Sequence, residues 1–164
     1  MKIQLLTLAA LAALITSCGG EAPKNATSTE QKTETDAPAQ TYEFTINAVG
    51  NTMTDMAYDT KELKVKAGST VKVNLVNAGT DETMLHNIVF VKQGAEKEVA
   101  MEGIPLKEQN YFNASNANVI AGSAVSKPGG TVTVEFTAPE AGMYTYICSY
   151  PGHWQKMQGV LIVE

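Results

Sequence analysis

Cys148-Ser-Tyr-Pro-Gly-His153-Trp-Gln-Lys-Met157 is the stretch from which the rest of this chain is read. It lies between two strand-like runs, Gly142 to Cys148 and Gly159 to Val163, and its Pro151-Gly152 pair can turn the chain so that its ends meet at one point. A thiol, an imidazole and a thioether fall within ten residues. Soft sulfur combined with imidazole suits copper, and a trigonal His₂Cys set with a weak axial Met is the donor set of blue-copper electron-transfer sites. Such a set needs one more histidine. The chain has only two, His153 and the distant His86.

The spacing Cys-x₄-His-x₃-Met, closed by Gln158-Gly159-Val160-Leu161, resembles the C-terminal ligand loop of the azurin- and auracyanin-like cupredoxins. His86-Asn87-Ile88-Val89-Phe90 resembles the run that carries their first ligand, and the resemblance extends over roughly Thr41 to Glu164. It implies one copper ion, cycling between Cu(I) and Cu(II), held by His86, Cys148 and His153 with Met157 on the axis. It also implies that the amides of Asn87 and Tyr150 donate to the Cys148 sulfur, and that the Asn87 side chain bridges to the backbone around Ser149. Leu85 stands where azurins carry a glycine whose carbonyl approaches copper from the far axial side, and a leucine there leaves that contact open. The azurin disulfide has no counterpart, because the only other cysteine is Cys18.

Each ligand has a plainer reading. A lone Cys is ordinarily a buried structural thiol, and a Met before a buried strand ordinarily fills the core. Both histidines standing at the two required positions favours the metal. Three strong ligands and a thioether leave no open position for substrate, so the set suits electron transfer and assigns no catalytic residue. The expected exit for the electron is the imidazole edge of His153, exposed in an apolar rim that could make a small, quickly released contact with a redox partner. Trp154 either belongs to that contact or shields the loop backbone.

Periodicity supplies the fold class independently. Apolar and polar residues alternate in Tyr42–Ala48, Glu62–Lys66 and Val71–Asn77, with further strands expected at 86–91, 131–137, 142–148 and 159–163. Seven to eight short strands separated by turn signals predict an all-β, antiparallel Greek-key sandwich, cupredoxin-like in form. The interval 96–127 breaks the pattern: a short helical flap is expected between Glu96 and Gly103, and the rest reads as a loop crossing the sandwich.

The N-terminus reads as an export signal over 1–17, with Lys2, an apolar run from Leu5 to Ile15 and small residues before Cys18. The Ile-Thr-Ser-Cys18 sequence resembles a bacterial lipoprotein box, which implies acylation of Cys18. Residues 18–40 carry no aromatic or branched apolar side chain after Cys18 and read as a disordered tether, its coil-like reach about 25 Å, leaving 41–164 as the cupredoxin domain. The net charge is −5. With no basic stripe for phosphates, nucleic acid is excluded as a partner, and acidic charge suits steering toward a basic patch on a redox protein. The expected protein is thus a monomeric electron carrier outside the cytoplasm, tethered to a membrane by its lipid. The rival reading is a copper-binding delivery protein that passes Cu(I) to an oxidase.

Overall fold

The computed structural model describes residues 40–164. The expected signal over 1–17, the expected acylation at Cys18 and the expected tether therefore lie outside the described residues, apart from Gln40. The first sheet holds β1 (Thr41–Val49), β2 (Ala57–Tyr58), β4 (Thr70–Asn77) and β7 (Thr131–Thr137), in the order β2-β1-β4-β7. The second holds β3 (Glu62–Val65), β5 (Val89–Lys92), β6 (Val119–Gly122), β8 (Gly142–Ile147) and β9 (Gln158–Val163), in the order β3-β9-β8-β5-β6. The two sheets form the expected β-sandwich.

Strand alternation builds the core between the sheets. Val71, Val73 and Leu75 of β4 face inward with Ile46 and Ala48 of β1, and meet Leu63, Val65, Leu161 and Val163 from the second sheet. Each strand thus buries one face, as period-2 side chains require. The sheets are mixed rather than wholly antiparallel: β1 runs parallel to β4, with Thr41 opposite Thr70, and β3 runs parallel to β9, with Glu62 opposite Val160. A period-2 pattern carries no information on the direction of a neighbouring strand. Parallel pairs need long crossovers, and here β1 reaches β4 by way of β3 in the opposite sheet.

The expected helix is α1 (Glu96–Gly103), and it covers the outer face of the second sheet. Val99 and Ala100 pack there with Val89, Val91, Ile147 and Phe112. That cover explains the unbroken apolar run Val89-Phe90-Val91, all buried, since a sheet covered on both faces loses its alternation. The remainder of the interval is not all loop, because Val119–Gly122 forms edge strand β6 against β5.

Candidate metal centre

His86 leaves β4 by the connection to β5 and is fixed by its backbone: its N–H donates to Ser126 O at 3.1 Å and its carbonyl accepts from Ser126 N–H at 2.6 Å. The buried Asn77 side chain clamps this connection by donating to Met84 O (2.8 Å) and Ser126 O (3.2 Å). Cys148 directly follows β8, and its N–H donates to Met157 O at 3.0 Å. His153 O accepts from Met157 N–H at 3.0 Å, and His153 N–H donates to Tyr150 O at 3.0 Å. Gly152, at φ 87°, supplies the left-handed turn that folds the ligand loop back on itself. These backbone bonds bring the start and the end of the loop together.

Three donor atoms converge as a result. His86 Nδ1 lies 3.2 Å from His153 Nδ1, and Cys148 Sγ lies 3.6 Å from His153 Nδ1 and 3.8 Å from His86 Nδ1. The point equidistant from three atoms so spaced is about 2.1 Å from each, within the roughly 2.0–2.3 Å of metal–imidazole and metal–thiolate bonds. His86 and Cys148 are 0 % exposed and His153 is 1 % exposed. Met157 is fully buried at the end of the same loop. The donor set and its spacing fit a copper ion.

Electrostatics prepare these atoms. Burial holds both imidazoles down to about 4, helped at His86 by the neighbouring His153, so both are neutral and ready to bind at pH 7. Burial pushes the Cys148 thiol up to about 12, against the opposing pull of the nearby Asn87 and Tyr150 amides. A buried thiol of this kind gives up its proton to a metal and not to water.

Asn87 is fully buried and joins three segments. Its Oδ1 accepts from Ser149 N–H at 2.9 Å, and its Nδ2 donates to Ser149 Oγ at 2.8 Å and to Asn110 O at 2.7 Å. Leu85 is half-buried immediately before His86, its N–H donating to Thr83 O. The exposed imidazole edge expected at His153 is not what the structure has. The Tyr150 ring lies over it at 4.9 Å between centroids, and Met53, an exposed residue of the β1–β2 connection, sits against Gly152. Trp154 is half-buried on the cluster beneath α1.

Sequence reasoning missed Asn77, Ser126 and Tyr58, whose hydroxyl donates to Asn87 O. Asn77 carried a signal: it is the one polar residue in the inward register Val71, Val73, Leu75, Asn77. Ser126 and Tyr58 carried none, because they act through backbone partners that no local pattern reveals.

Comparison with known proteins agrees with this geometry. Residues 45–164 match the family described as copper binding proteins, plastocyanin/azurin family. The chain is 38 % identical over 119 residues to auracyanin-A of Chloroflexus aurantiacus, covering 71 % of this chain and 72 % of that protein. It is 34 % identical over 113 residues to azurin of Alcaligenes faecalis, covering 65 % of this chain and 88 % of that protein. Among solved structures, auracyanin A, described as a "blue" copper protein from Chloroflexus aurantiacus, superposes with a TM-score of 0.67 at 36 % identity over 76 % of this chain and 99 % of that one. A dithionite-reduced auracyanin from Roseiflexus castenholzii gives 0.67 at 35 % identity over 77 % and 99 %.

Proposed function

The chain belongs to the plastocyanin/azurin family of copper-binding proteins, takes one copper as its cofactor, and on that premise we propose that it is a membrane-tethered type 1 copper electron carrier. In this reading His86, Cys148, His153 and Met157 would hold the copper. The observation that carries it is the convergence of two Nδ1 atoms and one Sγ, all from buried residues. Bound copper supplies a one-electron couple.

The chain does the rest. The imidazoles enter the site already neutral, and the thiol alone surrenders a proton on loading. The Asn87 and Tyr150 amides then donate to the thiolate and stabilise it, while the Asn87 side chain keeps the His86 segment and the ligand loop at fixed separation. A set of donors fixed by backbone bonds moves little between oxidation states, which favours fast electron exchange. Because His153 is covered, contact with a redox protein is assigned to the loop surface around it, where Pro151, Gly152 and Trp154 flank the ligand in sequence.

Burial of all three donors also speaks against delivery of Cu(I), which needs ligands a partner can reach. Met157→Leu separates the two readings. In a carrier the blue site survives and, with the thioether replaced by a drier apolar side chain, the potential rises by on the order of 0.1 V. Voltammetry and a competitive Cu(I) chelator titration measure both quantities. An unchanged potential with a large loss of Cu(I) affinity would overturn the carrier assignment.

A further inference from the structure

The short 3-10 turn Lys107–Gln109 in the flap ends on two consecutive residues in the left-handed region, Asn110 at φ 59° and Tyr111 at φ 62°. No other non-glycine residue adopts this backbone among the described residues. Asparagine tolerates it, whereas a bulky aromatic residue there is an outlier that surrounding structure must enforce. The enforcement is visible. The Asn110 carbonyl accepts from Asn87 Nδ2 at 2.7 Å, and Asn110 Oδ1 accepts from Val125 N–H at 3.1 Å. Tyr111 N–H donates to Leu106 O at 2.9 Å, and its carbonyl packs so close to Gly103 that a Cβ at that position would collide with it.

The strained turn determines where one ring goes. Tyr111 stands edge-on to Tyr150 with centroids 4.9 Å apart and planes at 69°, and Tyr150 in turn lies 4.9 Å from the His153 ring. We propose that Tyr111 is a positioning residue of the copper centre: its ring fixes Tyr150 over the His153 imidazole and keeps water from that side of the metal. This rests on the copper reading above. The same Asn87 that spans the two ligand segments also holds Asn110, so flap and site are set by one side chain.

The consequence is a shift in potential. The oxidised site carries one more positive charge than the reduced one, and water stabilises the more charged form, so uncovering His153 lowers the potential. Tyr111→Gly removes the ring and releases the left-handed strain together. Measured on the full copper-loaded chain, it should lower the potential while the denaturation midpoint holds or rises. Tyr111→Asn, which also tolerates this backbone, should lower the potential equally. Tyr111→Phe, which keeps the ring, should retain the wild-type value. Wild-type potential in the Gly and Asn variants, with the blue band intact, would overturn the inference and leave the copper reading standing. A fall in Tyr111→Phe as large as in Tyr111→Gly would also overturn it, since the ring would then not be the cause. Absence of a blue band in the wild type would overturn both.

Discussion

Burial sets the protonation of the three donors before any metal arrives, and this makes the apo protein pH-sensitive in a defined way. His86 and His153 titrate near 4 when folded and near 6.5 when free, so an unfolded chain takes up protons that the folded one refuses. Their contribution is present above about 6.5 and is lost as pH falls toward 4. Cys148, raised from 9.0 to about 12, acts in the opposite direction, with stability lost as pH rises from 9 toward 12. Urea denaturation of the apo protein should therefore show a plateau between roughly pH 6.5 and 9, with a fall of roughly a few kcal/mol on the acid side. A flat profile from pH 7.5 down to 4.5 would contradict the buried neutral imidazoles. Residue type made the ligands legible, since a chain with two histidines offers few ways to assemble this set. The supports at Tyr58, Ser126 and Asn110 act through main-chain groups, which leave no trace in residue identity.

Strands with clean alternation were legible almost to their ends, Thr131–Thr137 being one example. Two short ones were not: β2 is a two-residue pairing with the end of β1, and β6 is made by an edge whose four residues are all only half-buried. Neither has enough length to show a period. The flap helix was legible, but not the left-handed turn after it, because tertiary contacts impose that conformation against local preference. Gly159 of β9 faces Tyr146 of β8 directly across the strands, and a Cβ at Gly159 would fall inside the Tyr146 ring. Tyr146 is fully buried and packs on Tyr58 and Phe90, so it cannot swing aside. Gly159→Ala should destabilise the domain by about 1–3 kcal/mol through overpacking, lowering the thermal midpoint by several degrees. An unchanged midpoint would show that the aromatic cluster yields more easily than its packing implies.

At the scale of the whole chain, the domain at 41–164 is an acidic β-sandwich with a buried copper centre, and the proposed tether and lipid decide where it works. Without the proposed signal over 1–17 the chain would carry 11 basic against 17 acidic residues, a balance that offers no attraction to anionic lipid beyond the proposed anchor at Cys18. Cys18→Ala should therefore transfer the protein from the membrane fraction to the soluble one, because the acyl chains are the only apolar anchor in this reading. Retention of the variant in washed membranes would refute the lipid tether without touching the copper site. The central proposal is that Cys148, His86 and His153 would together hold one copper, and visible absorption tests it most directly. Cu(II) added to the folded protein should bind at one equivalent and produce an intense thiolate charge-transfer band near roughly 600 nm, lost in Cys148→Ser. Stoichiometric copper binding without that band, or a band that survives Cys148→Ser, would contradict it.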